Sequence, residues 1–119
     1  MISLLSYILE RMIKKMIKNL NQLKKVISKD VKLEIVGHCR PDYANDTRIV
    51  TLSNSQGFYS VSADPRSKIN TANDGKGSVL WWSKAPFWSF ENGLCSLYDS
   101  DKQKDNDHLI ISFRVLEAA

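Results

Sequence analysis

Residues 87–98 read FWSFENGLCSLY, and this stretch decides which kind of fold the chain can adopt. Asn92-Gly93 at its centre suits a type I′ turn, because both central residues of that turn have positive φ angles. The turn predicts a β-hairpin in which Trp88 lies opposite Leu97. The hairpin face expected to reach the core carries Trp88, Phe90, Cys95 and Leu97.

Alternating apolar and polar residues continue on both sides of this hairpin. Residues 108–116 predict a strand, and so do residues 31–36. Residues 47–52 and 58–63 flank SNSQG, which has the composition of a turn. Six or seven strands joined mostly by short turns predict an antiparallel β-sandwich or barrel-like head over residues 30–119.

A long polar loop, DPRSKINTANDGKG, separates two of these strands at residues 64–77. Ile69 is its one apolar anchor. Because long loops on rigid β-scaffolds often carry binding determinants, this loop is a candidate recognition segment.

The first 28 residues, MISLLSYILERMIKKMIKNLNQLKKVIS, place apolar residues at heptad spacing. This pattern predicts an amphipathic helix over residues 1–29, about 40 Å long at about 1.5 Å per residue. A β-head with a radius of gyration of about 12 Å is too small to cover the apolar face of such a helix. We therefore expect an α+β protein that oligomerises, as a trimer, through this separate helical domain. The side chains expected to face partner helices are Leu5, Leu9, Met12, Met16, Leu20, Leu23 and Ile27.

Positive charge is concentrated in the same N-terminal segment. Residues 1–32 contain eight Lys and Arg against two acids, whereas the remainder contains nine against eleven. The basic helix could meet an acidic partner or an anionic membrane, or its lysines could be the solvated face of a coiled coil, which their spacing favours. The aromatic residues lie in the acidic part of the chain, so the sequence does not predict nucleic-acid binding.

Aromatic side chains cluster between residues 81 and 98. Trp81 and Trp82 are adjacent, so on a strand they point to opposite faces. One of them can fill the core, while the other faces a neighbouring subunit, a ligand or solvent; the alternative is that both are buried. An exposed indole suits stacking on a sugar ring or a protein contact. The expected ligand-binding residues are Trp81, Trp82, Phe87 and Tyr98.

The two cysteines, Cys39 and Cys95, could form one disulfide or remain free thiols. The N-terminal residues lack the charge pattern and cleavage site of a secretion signal, which favours free thiols and, outside a virion, a cytoplasmic location.

No catalytic or metal-binding motif stands out in the chain. His38 and Cys39 are neighbours whose side chains should diverge on an extended strand. The acidic loop at residues 99–107 departs from the EF-hand pattern at Gln103 and Lys104, so it predicts a solvated hairpin tip. We therefore expect a non-enzymatic protein without a metal or other cofactor.

A helix followed by a small β-body resembles the layout of bacteriophage tail-fibre, baseplate and head-fibre proteins. The resemblance implies a trimeric attachment protein of a virion, whose β-head contacts a cell-surface glycan or a virion protein. A second likeness, carried by the basic helix and GSVLWWSKAPFWSF, is to actinoporin-type pore-forming toxins, and it implies a membrane-active protein. A third alternative is a monomeric ligand-binding or immunity protein whose helix folds back on its own curved sheet.

Overall fold

The computed structural model describes residues 12–14 and 16–118. Within these residues one antiparallel sheet contains every strand, and the single α-helix, α1, covers Leu20–Val26. The strands are β1 (Met12–Lys14), β2 (Lys32–His38), β3 (Asp46–Ser53), β4 (Gly57–Ser62), β5 (Ser78–Trp81), β6 (Trp88–Glu91), β7 (Leu94–Tyr98) and β8 (Leu109–Ala118).

The strands follow the order β5-β4-β3-β2-β8-β7-β6, and β1 pairs with the end of β8. Strands β5 and β6 are therefore the two edges, and the sheet curls into a half-barrel without closing. β1 lies in line with β7, because Lys14 and Lys32 pair with Leu116 from opposite sides. The curl gives the sheet a concave inner face.

The hairpin predicted at residues 87–98 is confirmed. Trp88 pairs with Leu97, and Glu91 pairs with Leu94 across the turn. Asn92 has φ 51° and Gly93 has φ 80°, as a turn with two positive φ angles requires. Local chemistry is sufficient here because the turn fixes the register of both strands.

Large apolar side chains line the inner face and form one core. Phe113 lies at its centre, with its ring centroid 6.1 Å from that of Phe58 and 6.2 Å from that of Trp88. The alternation predicted for the last strand holds, since Ile111, Phe113 and Val115 are all buried. The faces of β2 and β8 could be predicted because their side chains alternate with period two.

The long helix predicted over residues 1–29 is wrong. Residues 12–14 are a strand, and the helix covers only the seven residues of α1. Asn19, which the heptad placed inside the helix, is the N-cap of α1: its side chain accepts a hydrogen bond of 2.9 Å from the backbone N–H of Gln22. Asn favours caps over helix interiors because its amide competes for nearby backbone groups.

The apolar spacing of this segment has another cause. Ile17, Leu20, Leu23 and Ile27 pack into the core of the same chain. A short helix lying on a sheet needs one apolar stripe, as a coiled coil does, so the sequence pattern does not separate the two arrangements. The protein is mostly β, and the α+β class with a long helix is corrected accordingly.

The other residues expected to face partner helices have different positions. Met16 is 58% exposed, and Met12 belongs to β1. Leu5 and Leu9 lie outside the described residues. Residues on both sides of the predicted boundary at 29/30 contribute to one core. The trimer stays a prediction, but the long helix on which that prediction depended is not present in the described part of the chain.

Candidate functional site

A cavity of about 530 Å³ opens on the concave face of the half-barrel. Side chains of β2, β4, β5, β7 and β8 form its apolar wall, and the loop at residues 64–77 contributes a second wall through Lys68, Ile69, Ala72 and Asn73. The apolar wall includes Leu33, Ile35, Phe58, Leu80, Leu97 and Ile111. The cavity volume lies within the range of roughly 300–1,000 Å³ typical of sites for small molecules.

The loop wall is held to the sheet by specific contacts. Ile69 is buried, as its position in the loop predicted. Asn70 accepts a hydrogen bond of 2.7 Å from the backbone N–H of Ser62 and donates to the Ser62 carbonyl at 3.2 Å. The loop therefore packs on β4 and closes one side of the cavity.

The most unusual group in the cavity wall is Arg48 on β3. Its side chain lies on the inner face because Arg48 pairs with Leu33 on one side and Ser62 on the other, and it is only 1% exposed. It is the largest side chain among the fully buried ones. Removing a guanidinium from water costs several kcal/mol unless hydrogen bonds replace its hydration.

Hydrogen bonds replace only part of the hydration that the guanidinium of Arg48 loses on burial. Its Nε donates to Oδ2 of Asp46 at 2.6 Å, and its Nη1 donates to Oγ of Ser78 at 3.1 Å. The ring of Tyr43 lies 5.8 Å from its Cζ, a cation–π distance. Nη2 is buried and has no hydrogen-bond partner. Because buried polar groups are rarely left unpaired, this nitrogen marks a place where a ligand atom can bind.

Further positive charge lies around the cavity. Arg40 and Lys68 also line it, and the described lining residues include no carboxylate. Asp46 lies beside the cavity, where its Oδ1 accepts a hydrogen bond from the hydroxyl of Ser62 at 2.9 Å. The cavity therefore combines apolar walls with three cationic side chains.

His38 also lines the cavity, near Arg40 and Arg48. Its ring packs edge-on against Tyr43, with centroids 5.3 Å apart, and its Nδ1 accepts the backbone N–H of Arg40 at 2.9 Å. Burial lowers the pKa of His38 below its usual 6.5, and the nearby Arg48 and Arg40 lower it further, against a smaller opposing effect of Asp42. The neutral imidazole therefore carries its proton on Nε2.

We expect the two histidines of this chain to titrate on opposite sides of pH 6.5. The hydrogen bond to Asp105 raises the pKa of His108, whereas burial lowers that of His38. Proton NMR of the imidazole resonances measures both midpoints, and His108→Gln assigns them. Coincident midpoints, or the reverse order, would contradict the cavity environment of His38.

The lowered pKa of His38 also makes the stability of the fold depend on pH. Because its pKa is lower in the folded state than in the unfolded state, protonation favours unfolding. The contribution of His38 to the free energy of unfolding is fully present above the pKa that it has in the unfolded chain. This contribution is lost as the pH falls through the lower pKa of the folded state.

The expected ligand-binding aromatics have separate positions. Trp81 is 51% exposed and borders the cavity, whereas Trp82 is 4% exposed and its Nε1 donates to the carbonyl of Asn54 at 3.1 Å. One indole of the pair is buried and the other exposed, as predicted, although β5 ends at Trp81. Phe87 and Tyr98 lie together on a smaller groove next to the cavity.

The two cysteines are free thiols. Cys95 is buried, and that burial raises the pKa of its thiol to about 12. Cys39 is exposed, with its Sγ 3.7 Å from Nδ1 of His38, so the divergence expected for these neighbours is not observed. The chain turns directly after β2, which brings the two side chains to one side. The lone pair of Nδ1 is already occupied by the Arg40 N–H, so this pair has no base for the thiol.

The acidic segment at residues 99–107 is largely exposed. Lys104 donates from Nζ to the carbonyl of Trp88 at 2.9 Å, and Asp105 accepts the backbone N–H of Asp107 at 3.1 Å. Within the described residues, no group of three or more His, Cys, Asp or Glu side chains is placed to hold a metal ion.

Sequence reasoning missed Arg48 and its partners. A signal was present: with period-two alternation, Arg48 shares a strand face with the apolar Val50. A charged residue on an apolar face is unusual enough to indicate a special site. The roles of Tyr43 and Ser78 had no such signal. Tyr43 lies in a short 3-10 turn at Pro41–Tyr43, and Ser78 is thirty positions from Arg48 along the chain.

Comparisons with known proteins add no relative to this description. No protein-family model, curated protein sequence or solved structure matches the chain. Among the described residues, no helix has the length and apolar character needed to cross a membrane.

Proposed function

We propose that this protein is a non-enzymatic binding protein that holds a small, mostly apolar molecule in the cavity of its half-barrel. The observation that carries the proposal is an apolar cavity of about 530 Å³ whose wall contains a buried, partly unpaired arginine. Ligand sites in proteins commonly combine apolar walls with a few placed polar groups. This agrees with the alternative of a curved sheet that carries its own helix.

The chemistry of the cavity supports binding over catalysis. Its described titratable side chains are one histidine with a lowered pKa, one tyrosine and three cations. Arg48 and Asp46 are committed to each other, so neither is poised to transfer a proton. General acid–base catalysis requires a group within hydrogen-bond reach of the substrate and with a suitable pKa.

Attachment through a β-head stays a prediction. It depended on the helix over residues 1–29, and three of the residues expected to face partner helices are buried in the core of the same chain: Leu20, Leu23 and Ile27. Trp81 is the remaining feature that suits a glycan or protein contact.

We expect an uncharged fluorescent naphthylamine dye to bind saturably, one molecule per chain. Ser60→Phe should weaken this binding about tenfold or more, because Ser60 lies on the inner face and lines the cavity. Val61→Phe is the matched control, since the next residue on the same strand points to the outer face. Dye fluorescence measures affinity, and circular dichroism checks that both variants fold.

The proposal fails if the wild-type protein shows no saturable dye binding. It also fails if folded Ser60→Phe binds the dye as tightly as the wild type, or if Val61→Phe weakens binding as much as Ser60→Phe does.

A further inference from the structure

We propose that the ligand of this cavity is a monocarboxylic acid, with its carboxylate on Arg48 and its apolar body along the strand side chains. This inference rests on the proposed binding function and names its ligand class. It begins with the donors of Arg48. Nε and Nη1 have partners in Asp46 and Ser78, but Nη2 has none and is buried.

An acceptor for Nη2 has to enter through the cavity. The guanidinium lies in the cavity wall, and the ring of Tyr43 lies 5.8 Å from its Cζ. Arg48 lines the cavity, so a ligand atom bound there is the acceptor that we infer for its unpaired Nη2. A ligand oxygen bound there would complete the hydrogen bonding of a side chain that is 1% exposed.

The charge around the cavity favours an anion. Arg40, Arg48 and Lys68 line it, and no carboxylate is among the described lining residues. The carboxylate of Asp46 is already occupied by Nε of Arg48 and by the hydroxyl of Ser62. A hydrogen bond from a guanidinium to an anion is shorter and stronger than one to a neutral oxygen.

Among anions, the geometry suits a carboxylate. Nη2 of Arg48 is the one unpaired nitrogen, and it can donate to one oxygen of a singly charged carboxylate. A phosphate monoester carries a larger charge and more acceptor oxygens, for which this buried end supplies too few donors. The apolar wall formed by residues such as Leu33, Phe58 and Ile111 suits a hydrocarbon or aromatic body.

Three probes with the same tail test the head group: decanoate, decanol and decyl phosphate, each displacing the naphthylamine dye from the wild-type protein near neutral pH. We expect decanoate to bind about tenfold or more tighter than decanol, because it alone supplies a charged acceptor of the right size. Decyl phosphate should bind more weakly than decanoate.

A double variant locates the preference on Arg48. Arg48→Met with Asp46→Asn removes the cation and its partner together, so no lone charge stays buried. It should bind decanol as the wild type does and lose the preference for decanoate. The matched control is Arg66→Met with Asp64→Asn, because these two residues form the same kind of pair on the surface.

The outcomes separate this inference from the proposed function. Dye binding with equal affinities for decanoate and decanol would overturn the carboxylate assignment and leave the binding function intact. A preference for decyl phosphate, or a decanoate preference that survives in the folded double variant, would overturn it too. Absence of dye binding would overturn the binding function itself. If the double variant does not fold, the head-group comparison on the wild-type protein still decides.

Discussion

Asp46→Asn should lower the free energy of unfolding by about 2–4 kcal/mol, since it leaves the buried guanidinium of Arg48 without its counter-charge. The side chain of Arg48 is 2% exposed and that of Asp46 is 23% exposed. Partial exposure of Asp46 places the loss below that of a fully buried pair. Urea unfolding followed by tryptophan fluorescence measures it.

The chain contains its own control for this substitution. Asp64 and Arg66 have the same spacing and also contact each other through Nε, at 3.3 Å, but both are largely exposed. Asp64→Asn should therefore leave the unfolding midpoint unchanged within error, because solvent screens exposed pairs. Equal losses in Asp46→Asn and Asp64→Asn would show that the guanidinium of Arg48 is not buried as described.

Gly77→Ala should cost about 3 kcal/mol or more, or prevent folding, because the loop at residues 64–77 docks on β4 through this glycine. A Cβ at Gly77 would lie 1.9 Å from the carbonyl oxygen of Ser60, which is backbone and cannot move aside cheaply. Gly77 also has φ +95°, a conformation that L-residues rarely adopt. Urea unfolding of the purified variant measures the effect.

Gly75→Ala isolates the conformational part of this cost, so the difference between the two variants gives the steric part. Gly75 has φ +84°, but a methyl group added there would meet nothing within 4 Å. This variant should therefore lose only about 1 kcal/mol, from the backbone conformation alone. The same loss in Gly77→Ala and Gly75→Ala would contradict the close approach of the loop to β4. Folded Gly77→Ala should also bind the dye more weakly, since the loop forms a wall of the cavity.

Much of the sheet could be predicted because its determinants are local. Asn92-Gly93 sets the register of β6 against β7, and alternation places Phe113 and Val115 on the inner face. The same reasoning failed at the N-terminus. Residues 12–14 are a strand because they pair with residues 116–118, at the far end of the chain, and no local pattern encodes such a pairing.

The candidate site depended still more on distant residues. The adjacent tryptophans were assigned to opposite faces from the sequence, and Ile69 was identified as the anchor of its loop. The binding residues proposed from composition were aromatic, whereas the cavity has an arginine at its polar end. Ser78, which accepts a hydrogen bond from Arg48, is thirty positions away along the chain.

By itself, the sequence determined most strands after residue 30, the tight hairpin turn and which side chains share a face, because alternation and positive φ act over a few neighbouring residues. The tertiary structure alone decided that the N-terminal apolar stripe packs inward and that Arg48 becomes buried in a cavity. Both depend on the curl of the sheet. It brings the inner-face side chains of β2, β4 and β5 close to that of Arg48 on β3. Burial and the hydrogen bonds that compensate it are set by those distant strands, so they are properties of the fold as a whole.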